Sequence, residues 1–291
     1  MAVPSASDLR TVSPLTYFAK FNPVSQLADR FRAVSEITID REPSATVSQQ
    51  STVRVLSWNI AKNNQDPSWT RDFLSIVETF QPDKIFLQEV KLCAQAQQMP
   101  ELAEMGWSFA PNFIDRSENA YSGVLIATKS NRISSQALVS QHSEPVTNTP
   151  KVSLLAQYGS AQSPSSLLAA NTHLINFVDL GKFKAQLRQM EAVLQTHTGP
   201  ILLAGDFNTW NRYRWELLYK MARRLRLSAV SFSPQENQKL KRFLASPPLD
   251  YIFYRGFSQK PATAKVIDTI TSSDHNPLLV ELEVELERQS F

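Results

Sequence analysis

The stretch of residues 200–211 constrains the fold of this chain more than any other. Its four apolar residues, Ile201-Leu-Leu-Ala204, predict a short buried strand that ends at Gly205. Asp206 and Asn208 follow two positions apart, so an extended backbone would point both side chains to one side. A carboxylate and a carboxamide at the end of a buried strand can serve a phosphate, a metal or a water nucleophile. The alternative is an Asx turn that caps the next helix.

From Val53 onward, segments with strand-like and helix-like patterns alternate. In residues 280–286 apolar residues alternate with glutamates, which predicts a half-exposed closing strand. Apolar residues at helical spacing predict helices over residues 73–80, 94–105, 179–197 and 212–227. The other predicted strands are Val53–Asn59, Lys84–Gln88, Trp107–Pro111, Ser122–Thr128, Ile133–Val139, Lys151–Tyr158, Leu167–Thr172, Asp250–Tyr254 and Lys265–Asp268. This mixture predicts a single α/β domain over residues 52–291.

Residues 1–51 differ in composition from the rest of the chain. They are rich in Ser, Thr, Pro and Ala, and a polar linker over residues 44–52 ends them. A short helix from Ser25 to Val34 is compatible with the pattern. We therefore expect a partly flexible N-terminal arm ahead of the domain.

The composition excludes several classes of protein. The single cysteine, Cys93, rules out an intramolecular disulfide framework and a cysteine-based metal cage. No apolar run approaches the roughly 18 residues of a membrane span. Pro4, Asp8 and Pro14 interrupt the layout that a signal peptide requires. We expect a cytoplasmic monomer without stable membrane insertion.

Positive charge is concentrated in residues 212–242. This segment carries nine Lys or Arg against two Glu, whereas the whole chain has a net charge of only +3. One interpretation is a basic surface that tracks a phosphate backbone, with Arg212 and Arg214 nearest to Asn208 as substrate-binding residues. The alternative is a solvated helix face, with Tyr213 and Leu217 on the buried side of the same helix.

Six groups of polar residues end predicted strands or lie in the turns after them. They are Asn59; Glu89; His173 with Asn176; Asp206 with Asn208; Asp250; and Asp274 with His275. Ligand-binding residues of α/β folds lie at the carboxyl ends of strands, so these groups predict one site. Each residue taken alone also has a structural interpretation, as a turn residue, a cap or a hydrogen-bonded histidine.

Seven motifs occur in the order found in one known family. They are Trp58-Asn-Ile60, Gln88-Glu89, Ser122-Gly123, Thr172-His173, Gly205-Asp-Phe-Asn208, Leu249-Asp-Tyr251 and Ser273-Asp-His275. In these residues the chain resembles the endonuclease/exonuclease/phosphatase superfamily, which includes DNase I, abasic-site endonucleases, inositol polyphosphate 5-phosphatases, sphingomyelinases and deadenylases. Residues 171–211 and 248–277 are most similar to its YafD-type bacterial branch. The resemblance implies a four-layer sandwich of two mixed β-sheets flanked by helices.

The resemblance also implies a role for each residue of the predicted site. Glu89, assisted by Asn59 and Asp274, would hold a divalent cation, and a ligand set of oxygens without Cys suits Mg²⁺ or Mn²⁺ rather than zinc. Asp206 would orient or deprotonate the attacking water. Asn208 would hold a non-bridging oxygen of the phosphate.

The histidines would act directly on the phosphate. Asp250 would fix and charge His275, which would bind the phosphate as a cation or serve as a base. His173 and Asn176 would contact the phosphate, with His173 as an alternative acid for the leaving group.

Two departures from the abasic-site endonucleases bear on the substrate. Those enzymes carry Tyr where this chain has His173, and an aromatic residue where it has Pro247. Both departures weigh against abasic-site specificity, but the two-histidine pattern does not choose between DNA, RNA and lipid head groups. We expect a Mg²⁺-dependent phosphodiesterase that acts on DNA or RNA. One alternative is an enzyme that hydrolyses a phosphoinositide or phospholipid head group. The other is a binding module that has kept the fold and lost the chemistry.

Overall fold

The computed structural model describes residues 30–44, 51–145, 147–159 and 165–285. Two β-sheets pack face to face, with helices on both outer sides. The first sheet contains β1 Phe31–Ala33, β2 Ile39–Arg41, β3 Thr52–Asn59, β4 Lys84–Cys93, β5 Gly106–Asp115, β6 Ala120–Thr128, β13 Phe257–Gln259, β14 Lys265–Val266 and β15 Leu278–Val284. The second contains β7 Arg132–Ser143, β8 Pro150–Tyr158, β9 Leu167–His173, β10 Ile201–Asp206, β11 Ser228–Ala229 and β12 Asp250–Arg255. The helices are α1 Pro67–Phe80, α2 Leu180–Leu194, α3 Arg212–Arg224 and α4 Pro234–Gln238.

Both sheets combine parallel and antiparallel pairs. The first has the order β1-β5-β6-β4-β3-β15-β13, with β2 also paired to β5 and β14 to β15. The second has the order β11-β12-β10-β9-β8-β7. The pairs β3–β4 and β9–β10 are parallel, and the other pairs are antiparallel. This arrangement confirms the predicted α/β class and the four-layer sandwich of two mixed β-sheets flanked by helices.

The apolar pattern of β10 explains how the layers pack. Leu202 and Ala204 face the core between the two sheets, whereas Ile201 and Leu203 face α2 and α3. Both sides of the strand are buried, so its sequence is a continuous apolar run and not an alternating one. On the opposite outer side, α1 packs its apolar face against the first sheet.

Capping residues in the sequence set the starts of the two longest helices. Asp66 accepts a hydrogen bond from the Ser68 N–H, and Pro67 occupies the first position of α1. Asp179 accepts from the Lys182 N–H at the start of α2. Asp179 is the predicted start of α2, whereas α1 begins six residues before the predicted segment 73–80; both predicted helices are present.

One predicted helical segment is wrong, and a second is wrong in the part that the structure describes. β4 continues to Cys93, and of residues 94–105 only Pro100–Leu102 is helical, as a single 3₁₀ turn. Pro100 has no N–H to donate and restricts the residue before it, so an α-helix cannot run through it undisturbed. Residues 31–33 form β1 on β5 and not the end of a helix. The rest of the helix predicted from Ser25 lies outside the described residues.

The region expected to be an arm contributes β1 and β2 to the edge of the first sheet. Residues 45–50 of the predicted linker, 160–164 of the loop before β9 and 286 of the closing strand lie outside the described residues. Within the described ranges, no helix has both the length and the apolar character needed to cross a bilayer.

Candidate active site

Strand ends bring polar residues from distant parts of the chain to one edge of the sandwich. β3 and β4 are parallel, with Asn59 opposite Gln88. β9 and β10 are also parallel, with His173 opposite Asp206. β12 is antiparallel to β10 and begins at this edge, so Asp250 also lies opposite Asp206. The predicted convergence of these groups follows from this topology.

The Asp206 carboxylate lies at the centre of the edge. Its Oδ2 accepts a hydrogen bond from Asn59 Nδ2 at 3.1 Å and lies 3.6 Å from His173 Nε2 and 3.9 Å from His275 Nε2. The side chain is only 4% exposed. Burial and the neighbouring Asp250 carboxylate raise the pKa of Asp206 to about 7. A carboxylate with a pKa near neutrality can accept a proton from water at physiological pH.

Asp250 and His275 form the predicted pair. Asp250 Oδ2 lies 2.8 Å from His275 Nδ1. The backbone of His275 is fixed as well, because Trp58 Nε1 donates to its carbonyl oxygen at 2.8 Å and its N–H donates to Ser273 Oγ at 3.2 Å. Burial lowers the pKa of His275, but the carboxylates of Asp250, Asp206 and Asp274, with Asp250 the largest contributor, together raise it to about 10. His275 is therefore a cation at physiological pH.

Glu89 lies in a β-bulge of β4, with a φ of 56°. Ala61 and Lys62 also have positive φ, and this turn places the Lys62 ammonium on Glu89 Oε2. Glu89 Oε1 lies 3.4 Å from Asn59 Nδ2 and 3.9 Å from His173 Nε2. Burial raises the pKa of Glu89, but the positive charges of His173 (when protonated), Lys62 and Lys151 together lower it by more, so its pKa lies below the ordinary value. Glu89 is therefore an anion at physiological pH.

His173 differs from His275 in its state of charge. Burial and then the Lys151 ammonium lower the pKa of His173 well below its ordinary value. Its imidazole is therefore neutral at physiological pH. The site thus contains one neutral and one cationic histidine, both within 4 Å of Asp206 Oδ2.

The turn after β10 fixes Asp206 from behind. Gly205 has a φ of 145°, and a Cβ at this position would lie 1.9 Å from the Thr172 carbonyl oxygen, so only glycine fits. The Asn208 N–H donates to Asp206 Oδ1 at 2.9 Å, and Asn208 Nδ2 donates to the Leu174 carbonyl at 2.8 Å. The Asx-type hydrogen bond is therefore compatible with a role of Asp206 in the site, because the bond uses Oδ1 and the site-facing contacts use Oδ2.

The burial of Arg214 corrects its prediction as a substrate-binding residue. The side chain is among the largest that are fully buried, and its guanidinium lies against two aromatic rings. It donates to the carbonyls of Ile175, Val178 and Asn208 at 2.9, 2.8 and 3.2 Å. Arg214 therefore joins the loops after β9 and β10. Its neighbour Tyr213, predicted to be buried, is 70% exposed.

Asn176 and Arg212 lie at the rim of the site. Asn176 Oδ1 accepts a hydrogen bond from Trp210 Nε1 at 2.8 Å, so this oxygen is used within the rim. The Arg212 side chain is 83% exposed, and its Nε donates to Glu216 at 2.9 Å. The predicted contacts of both residues with substrate stay predictions.

Asp274, a predicted metal ligand, forms an ion pair with a lysine. Its side chain is 66% exposed and lies 3.1 Å from Lys241 Nζ. In the described part of the chain, the acidic and histidine side chains that converge within 4.8 Å are Asp206, Asp250 and His275, without Asp274. Asp274 is therefore not a member of this group, and its predicted role as a metal ligand stays a prediction.

The basic segment is divided between the two ends of the second sheet. The first turn of α3 follows the site, but its last turn lies at the opposite end. There Arg255, which is opposite Ile201 in the sheet, donates to the Leu225 carbonyl at 3.1 Å. Arg224 pairs with Glu191 of α2. Within α3, only the first turn therefore lies near the site. Lys241, later in the basic segment, also lies near it, because it pairs with Asp274 next to His275.

Two places at this edge could hold a metal ion. One is the group of Asp206, Asp250 and His275, but His275 Nδ1 is already bonded to Asp250. The other is Glu89, whose carboxylate already binds a cation, the Lys62 ammonium. Its donor is an oxygen of the kind that hard divalent cations prefer. The residues around Glu89 therefore fit such a cation.

Asn59 differs from its prediction as a metal ligand. Its Oδ1 accepts the Ala61 N–H at 3.0 Å, and its Nδ2 faces the carboxylates of Glu89 and Asp206. Asn59 therefore holds the two carboxylates in place instead of offering its oxygen. The contact with Glu89 depends on β4 lying beside the end of β3, and the contact with Asp206 depends on the end of β10 in the other sheet.

Two functional candidates escaped the sequence analysis. Lys62 and Lys151 line a narrow cleft together with Glu89 and His173. Lys62 follows the Trp58-Asn-Ile60 motif by two residues, so its position next to the motif is a usable signal. Lys151 is the first residue of a predicted strand, and no pattern in that strand distinguishes it from a surface lysine.

Comparison with known proteins agrees with this geometry. A family model described as the endonuclease/exonuclease/phosphatase family matches residues 56–275. The UPF0294 protein VP2298 of Vibrio parahaemolyticus is 33% identical over 254 residues, which cover 84% of this chain and 85% of that protein. The UPF0294 protein of Klebsiella pneumoniae is 33% identical over 248 residues, with 82% and 85% covered. These bacterial relatives confirm the predicted branch of the family.

Solved structures share the fold at low sequence identity. An endonuclease/exonuclease/phosphatase from Beutenbergia cavernae superposes with a TM-score of 0.60 at 17% identity, covering 81% of this chain and 72% of that one. D. rerio TDP2 complexed with a single-strand DNA product superposes with a TM-score of 0.54 at 16% identity, covering 81% and 100%.

Proposed function

This chain belongs to the endonuclease/exonuclease/phosphatase family, and we propose that it is a divalent-metal-dependent phosphodiesterase that hydrolyses nucleic acid. Family membership supports hydrolysis of a phosphoester bond. The observation that carries the proposal is the position of Asp206 between the neutral His173 and the cationic His275. A proton acceptor and a phosphate-binding cation are then available side by side.

Each residue contributes a different part of the reaction. Asp206 accepts a proton from the attacking water, which its pKa of about 7 favours. His275, kept cationic by Asp250, binds a non-bridging oxygen of the phosphate. The neutral state of His173 favours a hydrogen bond to the phosphate over the role of acid for the leaving group. Asn208 completes the phosphate contacts.

The cation is Mg²⁺ or Mn²⁺, with Glu89 as its carboxylate ligand. When bound, it offsets negative charge on the phosphoryl group and on the leaving oxygen. Asn59 holds Glu89 and Asp206 at the spacing that the reaction needs. Lys62 neutralises Glu89 when no metal is there.

Nucleic acid is the substrate class that the surroundings favour. Lys62 and Lys151 lie beside Glu89 and His173, and the exposed Arg212 lies at the rim. Cations at these positions suit a polyanionic chain. The similarity to TDP2, whose structure contains a single-strand DNA product, supports the same class. A monomer in the cytoplasm stays a prediction.

A second candidate substrate is a phospholipid or phosphoinositide head group. The loop between Arg242 and Pro248 exposes Phe243 by 63% and Leu244 by 88%. Thr209 Oγ1 donates to the Pro248 carbonyl, which places this loop beside the turn that carries Asp206. Two adjacent exposed apolar side chains can enter the surface of a membrane.

One panel of substrates tests both candidates. Purified protein is incubated with Mg²⁺ and single-stranded DNA, duplex DNA, RNA, phosphoinositide vesicles or sphingomyelin vesicles. We expect cleavage of nucleic acid that is lost with a chelator and in the Asp206→Asn variant. Hydrolysis of lipid alone would support the second candidate. Absence of hydrolysis in every arm would contradict both.

A further inference from the structure

A cavity of about 230 Å³ adjoins the cleft that contains Glu89 and His173. The two spaces share Lys62, Phe113, Ser122 and Lys151 among their lining residues. A group attached to a phosphate at the site can therefore extend into this cavity. Ligand pockets usually measure about 300–1000 Å³, so the space suits one small ring system and not a length of polymer.

The walls of the cavity are aromatic on one side. The rings of Phe31 and Phe113 contact edge to face, with centroids 5.2 Å apart, and the Arg30 guanidinium lies 5.0 Å from the centroid of Phe31. Tyr121 also lines the cavity and is only half-buried. Aromatic faces of this kind accept a nucleobase by stacking.

Charged groups line the remainder of the cavity. Lys151 lies 3.5 Å from Glu144. Lys91 pairs with Glu118 at 2.5 Å at the far end. Lysines at the end shared with the active site suit a phosphate, and carboxylates farther away can accept hydrogen bonds from the hydroxyl groups of a sugar.

The N-terminal region builds one wall of this cavity. In β1, Phe31 pairs with Asp115 of β5, and Arg30 donates to both carboxylate oxygens of Asp115, at 3.0 and 2.6 Å. Arg30 and Phe31 precede the part of the chain that matches the family, residues 56–275. This part of the cavity wall therefore lies outside the residues that match the family model.

We propose that this cavity binds one nucleoside next to the phosphate that is hydrolysed. The proposal rests on the proposed function and adds a subsite to it. The aromatic wall holds the base, the shared lysines face the phosphate, and the carboxylates contact the sugar. The N-terminal strand thereby contributes to the choice of substrate.

Two phosphodiesters with the same leaving group test the proposal. Thymidine 5′-(p-nitrophenyl phosphate) and methyl p-nitrophenyl phosphate both release p-nitrophenolate, but only the first carries a nucleoside. We expect kcat/KM of wild-type protein with Mg²⁺ to be at least about tenfold higher for the thymidine ester, the effect of one base–aromatic contact. Phe31→Ala should remove most of that advantage and leave hydrolysis of the methyl ester within about twofold.

A matched variant and a binding measurement complete the test. Ile133→Ala removes a side chain that is 62% exposed on β7 and does not line the cavity, and it should leave both rates unchanged. Equal kcat/KM for the two esters in wild-type protein would overturn the subsite while leaving the phosphodiesterase intact. If neither ester is hydrolysed, the proposed function fails, and calorimetry with thymidine 5′-monophosphate decides the subsite separately. Binding that Phe31→Ala weakens at least about fivefold supports it, and no binding overturns it.

Discussion

A histidine lies on each side of Asp206, one cationic and one neutral. On one side, which we call the relay half, Asp250 lies 2.8 Å from His275 and holds it as a cation. On the other side, the cation half, Glu89 binds Lys62, and His173 is neutral. The two histidine side chains are equally buried, at 8% exposure each. Burial alone therefore does not decide the charge of a histidine here.

The distance to a carboxylate and the nearness of other cations account for the difference. In the described part of the chain, the carboxylate oxygens paired with His173 are 3.6 and 3.9 Å away, beyond hydrogen-bond range. Lys151 and Lys62 disfavour a further positive charge there. Asp206 lies between the two halves. Because His173 is not charged, it does not protonate Asp206, which stays available to accept a proton from water. The following predictions test this division.

The largest effect is expected from Glu89→Gln in the cation half. Removing the charge of a ligand to a hard cation costs several kcal/mol, so kcat/KM should fall about a thousandfold or more at equal Mg²⁺. Glu104→Gln serves as the matched control, because the Glu104 side chain is 87% exposed and lies 3.7 Å from Lys129. It should keep at least about a third of the activity. Circular dichroism checks that both variants fold. If Glu89→Gln turns over within about threefold of wild type, Glu89 is not the metal ligand.

The relay half should lose its function as a unit. Asp250→Asn and His275→Ala should each lower kcat/KM by about a hundredfold to a thousandfold, because either change removes the fixed cation. The double variant should be no more than about threefold slower than the worse single variant. Losses in log kcat/KM that simply add would show that the two residues act independently.

Asp206→Asn should stabilise the metal-free protein, and more so at higher pH. The pKa of Asp206 is raised from 3.8 to about 7. The protonated carboxyl group therefore contributes to the free energy of unfolding in full below pH 4, and this contribution is lost as the pH rises through 7. The variant has no carboxylate to ionise, and its gain in unfolding free energy should grow between pH 4 and 8, on the order of 1.4 kcal/mol per pH unit between the two pKa values. Thermal melts at pH 4.5 and 8 measure this. The exposed Glu78→Gln on α1 is the control, and a gain that is the same at both pH values would contradict the buried, uncharged state of Asp206.

The smallest effect is expected far from both halves. Replacing Arg223, Arg224 and Arg226 by Gln should leave the salt dependence of DNA binding unchanged, because these residues lie at the opposite end of the second sheet. Lys151→Gln, next to the site, should flatten the slope by about 0.9 log unit, the value for one phosphate contact on duplex DNA. Filter binding between 50 and 200 mM salt compares the two. If only the triple variant flattens the salt dependence of DNA binding, the nucleic-acid-binding surface lies at the end of α3 and not beside the site.

The order of strand-end residues made much of the site predictable. Asp206 ends β10, Asp250 begins β12 and His275 lies in the loop before β15, in a fold in which such strand ends meet, so their convergence could be inferred. The contact between Lys62 and Glu89 could not, because it depends on left-handed backbone at three residues that are not glycine. Nothing in side-chain type signals that conformation.

Arg214 shows why the basic segment was harder to interpret. An arginine in an amphipathic helix is expected on the solvent side, yet this one is buried. Its long apolar stem and five N–H donors allow burial where several carbonyls are free to accept. Those carbonyls belong to two loops whose positions depend on the tertiary structure. Propensity and periodicity along α3 do not contain that information.

The short strands β1 and β2 have a consequence for the order in which the chain acquires its structure. Phe31 pairs with Asp115, and Asp40 accepts a hydrogen bond from Ser135 Oγ of the second sheet. During synthesis these early residues must wait for partners that are made about 85 to 95 residues later, a delay of about 5–20 s at typical rates. The segment that joins the two sheets is therefore among the first to be made, and it stays unpaired until β5 and β7 have been made. A chaperone that holds the nascent chain would meet it unpaired.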